Sequence, residues 1–125
     1  MATSKISMKC GDYTAYNPSA DIAHNTLSDA GSFTLTAGTW MIICAVEFAS
    51  NSTGIRRAYL SGTSKGDELS NNASVTQPAC RTGETTMNFI YMETVTSTVT
   101  RYLCVLQTSG STLTCSPRFQ YFRMY

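Results

Sequence analysis

The chain has 125 residues, a formal net charge of +1 and only 14% charged residues, against about 25% in ordinary soluble domains. One domain is the natural count, and a chain this long buries roughly two-thirds of the surface its unfolded form exposes, so a core can form without metal or disulfides. The nine Lys and Arg are scattered, which argues against nucleic acid as a partner because phosphate neutralisation needs a basic patch; the longest apolar run, Trp40 to Val46, is too short for membrane insertion.

Residues 1–31 are the least regular part of the chain. The opening MATSKISMKC is polar and has no apolar core of signal-peptide length. Short edge strands are expected around Tyr13 to Tyr16 and at Ile22, on an N-terminal connector that ends at residue 31. From residue 32 strand signals dominate. SFTLTA (32–37) alternates Phe33 and Leu35 with Thr34 and Thr36. TWMIICAVEF (39–48) carries Trp40, Ile42, Cys44, Val46 and Phe48 on one face and Met41, Ile43, Ala45 and Glu47 on the other. Both faces are mostly apolar, whereas a two-layer sandwich needs one apolar face per strand. A neighbouring subunit covering the Met41 and Ile43 face is therefore expected.

IRRAYLSG (55–62) is the next strand. Residues 63–83, rich in Ser, Thr, Asn and Gly, read as a long loop with one short strand near Val75. TTMNFIYMETV (85–95) places Met87, Phe89, Tyr91, Glu93 and Val95 opposite Asn88, Ile90 and Met92. VTRYLCVLQ (99–107) returns after a turn at Ser97. TSGS (108–111) is a tight turn with Gly110 available for positive φ. STLTCS (111–116) starts a strand that Pro117 is expected to interrupt, and FQYFRMY (119–125) is the last strand. No window carries a helical stripe. Seven or so strands spaced by turn signals predict an all-β sandwich or barrel.

The five cysteines, at 10, 44, 80, 104 and 115, form no CxxC pair. Cys44 and Cys104 lie inside apolar runs, where thiols act as small hydrophobes. The set is read as reduced. The single histidine, His24, leaves no basis for a metal or cofactor site, and the chain lacks HExxH and Walker patterns. Catalysis is not expected.

Thr36-Ala37-Gly38-Thr39-Trp40, a hydrophobic strand, Asn51-Ser52-Thr53-Gly54 and Arg56-Arg57, followed in the second half by Tyr102 and Gln107-Thr108-Ser109-Gly110-Ser111, resemble the trimeric jelly-roll heads of the complement C1q and tumour-necrosis-factor type. The forms at the tips of bacteriophage tail fibres and receptor-binding proteins are the nearest in pattern. The resemblance covers roughly residues 32–125. It implies a ten-strand jelly roll assembled as a homotrimer on a virion tail or capsid surface, beside other virion proteins. It also implies attachment to a bacterial surface glycan or protein. The alternative is a structural trimerisation, capping or capsid decoration domain with no ligand of its own.

Three residue sets follow. Met41, Ile43, Phe119, Tyr121, Arg123 and Tyr125 are assigned to the trimer interface, the aromatic C-terminal set packing there in preference to serving as a saccharide platform. Arg56 and Arg57 point to opposite faces of their strand. One faces solvent and the other needs a partner near the core or a subunit boundary, with Glu47 paired to Arg57 as the expected ion pair and Glu93 as the other candidate acid. Lys65, Asp67, Asn71, Asn72, Gln77 and Arg81 form the expected ligand-binding loop, because loops at one end of a sandwich carry specificity while the sheets hold them still.

Overall fold

The computed structural model describes residues 19–124, together with the backbone of two short strands, β1 (Met8–Lys9) and β2 (Thr14–Tyr16). The remaining strands are β3 (Ala20–Ile22), β4 (Ser28–Leu35), β5 (Gly38–Phe48), β6 (Ile55–Ser61), β7 (Ser74–Pro78), β8 (Thr85–Val95), β9 (Val99–Gln107) and β10 (Leu113–Met124). The only helical turn among the described residues is a 3-10 turn at Asn71–Ala73. All described pairings are antiparallel, in two sheets. In sheet A, β1, β2 and β3 lie end to end along one edge of β10, which pairs in turn with β5 and β5 with β8. Sheet B runs β4, β9, β6, β7. From β3 onward the chain changes sheet at every connection except the β6–β7 hairpin, which is jelly-roll wiring. The ten segments fill eight strand positions, because the first three share one.

Alternation along each strand decides what enters the space between the sheets. Ile42, Cys44, Val46 and Phe48 from β5, Met87 and Phe89 from β8, Leu103 and Val105 from β9, and Ala58 and Leu60 from β6 are buried there. At one end an aromatic group joins the layers: the Phe33 ring lies 4.8 Å from Phe119 and 5.1 Å from Tyr121, and Trp40 meets Tyr121 edge-on at 5.7 Å. The same end holds a bidentate pair between sheets, Arg101 Nε to Glu93 Oε1 at 2.8 Å and Nη2 to Oε2 at 3.0 Å.

Several expectations change. β4 begins at Ser28, so the boundary drawn between residues 31 and 32 falls inside a strand; Asp29 and Gly31 flank a bulge that blurred the alternation there. β10 is continuous through Pro117. The edge partner of β10 changes from β3, last paired at Cys115, to β2, first paired at Arg118, and Pro117 sits in that break, where a missing N–H is tolerated. Phe119 belongs to the core and Tyr121 packs against it, half-buried, on the inward face of the strand. The parity that buries Leu113 and Cys115 also turns them and Arg123 inward, and Arg123 Nη2 donates to the Ala37 carbonyl at 3.0 Å. Tyr125 lies outside the described residues.

Candidate recognition end and assembly face

Jelly-roll wiring gathers four connections at one end of the sandwich: residues 23–27, 49–54, 79–84 and 108–112. Two buried polar side chains on adjacent strands hold this end, Arg56 on β6 and its register partner Gln107 on β9. Gln107 Nε2 donates to the carbonyls of Ile22 (2.9 Å) and Ser111 (2.7 Å), and its Oε1 accepts from the Ser109 N–H (2.7 Å). Arg56 is 0% exposed. Its guanidinium donates to the carbonyls of Asn51 (2.8 Å), Thr53 (2.9 Å) and Ile55 (3.1 Å) and lies 5.9 Å from the centre of the Phe48 ring. Burial pushes its pKa down from the usual arginine value, far too little to discharge a guanidinium at neutral pH.

Further bonds lock these loops to one another. The Ile55 N–H donates to Thr108 Oγ1 (2.9 Å), the Thr108 N–H to the Ile55 carbonyl (3.1 Å), and the Ala79 N–H to the Gly54 carbonyl (3.0 Å). His24 Nδ1 accepts the Gly110 N–H at 3.0 Å. Gly54 sits at φ +78°, and a Cβ there would overlap the Thr108 carbonyl, so only glycine lets the 49–54 and 108–112 loops approach this closely.

The opposite end is built differently. Residues 62–68 fold back over the outer face of sheet B. Asp29 accepts from Ser64 Oγ, from the Lys65 N–H (2.9 Å) and from the Cys104 thiol (3.3 Å). Tyr59 Oη donates to the Gly66 carbonyl (2.9 Å), and Arg57 pairs with Glu68 at 2.9 Å while lying 4.7 Å over the Tyr59 ring. The loop therefore roofs Tyr59 and Cys104, which face away from the core and are still buried. This corrects the expected Glu47–Arg57 pair. Arg57 is on the outer face of sheet B and Glu47 on sheet A, and the 62–68 loop brings Glu68 to the arginine instead. The buried member of the arginine pair, Arg56, meets carbonyl oxygens and no carboxylate.

The expected ligand loop is also divided. Lys65 and Asp67 lie in the roof over sheet B, Asn71 and Asn72 form the exposed 3-10 turn after it, Gln77 lies in β7 with Nε2 on the Thr86 carbonyl at 3.2 Å, and Arg81 is exposed at the four-loop end. The β7 strand separates the two groups, so they form no common surface.

Asp29 gives the roof a pH dependence. Burial would raise its pKa, but the bonds from Ser64, Lys65 and Cys104 and the Lys65 charge outweigh that and hold it below the ordinary value of 3.8. A carboxyl depressed on folding contributes stability above its unfolded pKa and loses it as pH falls through the folded one. Hydrogen exchange of residues 62–68 is expected to accelerate selectively in acid below about pH 4. Asp29→Asn is expected to accelerate it already at pH 7, with the β5 and β10 amides unchanged in both cases.

The four described cysteines are free thiols. Burial raises the pKa of Cys44 and Cys115 to about 12, and burial together with the Asp29 bond raises Cys104 to about 12. Only Cys80 is exposed among them. In a Cys10→Ser background, one thiol per chain is expected to react with Ellman's reagent at pH 8 before denaturation and four after it; fast reaction of a second native thiol contradicts this burial.

The outer face of sheet A has no roof among the described residues. Its cross-strand rows read Phe122–Met41–Met92, Gln120–Ile43–Ile90, Arg118–Ala45–Asn88 and Ser116–Glu47–Thr86. Ile90 is 60% exposed and Met92 52%. Met41 and Ile43 thus occupy the face expected of them, with Ile90, Met92 and Phe122 beside them in place of the inward Phe119 and Tyr121. Among the described residues no group of three or more His, Cys, Asp or Glu converges to hold a metal ion. Glu47 and Glu93 lie on opposite faces of sheet A, where no single substrate touches both.

No protein-family model matches this sequence, and no characterised protein matches it by sequence alone. Among solved structures the chain is similar to the VP2 subviral particle of infectious bursal disease virus, at 13% identity with a TM-score of 0.55, over 89% of this chain and 32% of that one. A second similar structure is that of infectious bursal disease virus Gx strain, at 12% identity with a TM-score of 0.54, over 98% of this chain and 34% of that one. The chain therefore spans about a third of those proteins, and what it shares with them is the all-β jelly-roll sandwich.

Proposed function

We propose that this chain is a jelly-roll domain of a virus particle surface that assembles with copies of itself as a homotrimer. In this reading it attaches a bacteriophage to a bacterial surface glycan or protein, by binding and without catalysis. The observation that carries the reading is the division of labour between the sheets. Sheet B covers its own outer face with residues 62–68, whereas sheet A leaves Met41, Ile43, Ile90 and Met92 without cover from the described chain. Exposed apolar patches of this kind mark association surfaces. The four-loop end, locked by Arg56 and Gln107, supplies a preorganised surface that loses little entropy when it meets a ligand. Incubating the purified protein with host cells or isolated envelope tests attachment. Saturable retention is expected, and no retention on any host envelope refutes it.

A purely structural place in the particle is the second reading. It is favoured by the likeness to a subviral particle protein and to a virus structure. It requires neighbours from the particle and no host ligand, so co-sedimentation with particles lacking this protein, without host binding, selects it.

A further inference from the structure

The outer face of sheet A changes character along its length. From Met41 to Glu47 is six residues along β5, about 20 Å, and over that distance the rows pass from Phe122, Met41 and Met92 to Ser116, Glu47 and Thr86. The polar end adjoins the four-loop end, because Phe48 closes β5, Thr85 opens β8 and Leu113 opens β10. There the face is indented by a groove of ≈ 210 Å³ lined by Ala45, Glu47, Thr86, Ser116, Pro117 and Arg118. The indentation has a local cause. Ala45, Ser116 and Thr86 are short, while Glu47 and Arg118 are long and stand diagonally across the β5–β10 pair, with Cβ atoms about 7–8 Å apart in that relation.

We infer that this groove is a binding subsite for one neutral sugar ring. Three features set the ligand class. The volume is below the roughly 300–1,000 Å³ of pockets for drug-sized ligands, so it admits one ring. Its two charges are of opposite sign, so it favours a neutral ligand over an anion or a cation. Its polar groups are a carboxylate that accepts, a guanidinium that donates and two hydroxyls, Thr86 Oγ1 and Ser116 Oγ, the second of which also meets Ser19 Oγ at 2.9 Å; these match adjacent ring hydroxyls, while Ala45 offers a small apolar floor for the C–H face. The subsite deepens the attachment reading and rests on it for its biological purpose. It lies beside the locked loops, and its Ala45 row adjoins the Ile43 and Ile90 row, so a neighbouring copy leaves it open when seated toward Met41 and Met92.

The test uses the full chain, 15N-labelled, titrated with the methyl glycosides of glucose, galactose and mannose at millimolar concentrations. At least one is expected to shift the Glu47, Thr86 and Ser116 amides saturably, with affinity at least tenfold weaker in Glu47→Ala and shifts abolished in Ala45→Phe, which fills the groove. Absence of shifts at these amides with all three glycosides overturns the inference, as does their persistence in Ala45→Phe. Host-cell retention separates the two claims. Retention undiminished in Ala45→Phe removes the subsite and leaves attachment standing, whereas groove shifts without retention on any host envelope remove attachment and leave the subsite.

Discussion

Arg56→Met is expected to cost about 3 kcal/mol of unfolding free energy and to lower Tm by roughly 10 °C, with little change in the denaturant m-value. The methionine fills much of the same volume and keeps the contact with Phe48, so a cavity is not the main cause. The cost arises because the Asn51 and Thr53 carbonyls lose the guanidinium at once while the Ile55 carbonyl keeps the Thr108 N–H, and a buried polar group left unpaired costs about 1–3 kcal/mol. Water reaching the exposed side of the 49–54 loop recovers part of this. Arg56→Lys is expected to fall between the two, because an ammonium keeps the charge but cannot span three carbonyls as the planar fork does. Equilibrium urea unfolding followed by tryptophan fluorescence measures this directly, Trp40 being the only tryptophan. A value for Arg56→Met within 0.5 kcal/mol of the parent would mean that the carbonyls are served by solvent and that the arginine is not what holds the loop.

The same residues explain how far the sequence could be read. Alternation in β5, β8 and β9 identifies the all-β class, and the sheet faces follow almost residue by residue, because a strand has only two sides. An inward arginine at 56 or 57 was legible, whereas the buried Gln107 was not singled out, although it shares the parity of Leu103 and Val105. The partners of both were not legible. Backbone carbonyls carry no sequence signal, so a buried guanidinium suggested an acid, and Glu47 stood near in the chain. Glu68 reaches Arg57 through a seven-residue fold-back that no periodicity announces. The inward turn of Phe119 was ambiguous for a related reason. With Phe119, Tyr121, Phe122 and Met124 in succession, both faces of β10 look apolar, and only the register against Cys44 and Ile42 on β5 decides which one is core. The longest polar segment was taken for a single loop. Only its first stretch, residues 63–68, covers sheet B, whereas the four-loop end is assembled from short connections that look unremarkable one at a time.

Ile90→Glu is expected to convert the assembled protein to single chains of 13.6 kDa while leaving the fold of each chain intact. Light scattering on the eluting peak should give a mass near three chains for the parent and one chain for the variant, with coincident far-UV spectra. Ile90 is 60% exposed in the isolated chain, so a carboxylate there meets water and changes monomer stability by no more than about 0.5 kcal/mol. In an assembly it lies among Ile43, Met41 and Met92, where an unpaired buried charge costs several kcal/mol at each contact. Closed symmetry multiplies the effect, because every subunit carries the same substitution and every contact contains it. Met92→Glu should act the same way from the next row, and Thr94→Glu, one row further from Ile90, should act less. Glu47→Gln, at the polar end of the face, should leave the mass unchanged. A parent that elutes as one chain at every concentration removes the homotrimer, and the apolar rows must then be covered by a different protein. A parent of three chains unaffected by Ile90→Glu moves the contact to another surface of the sandwich.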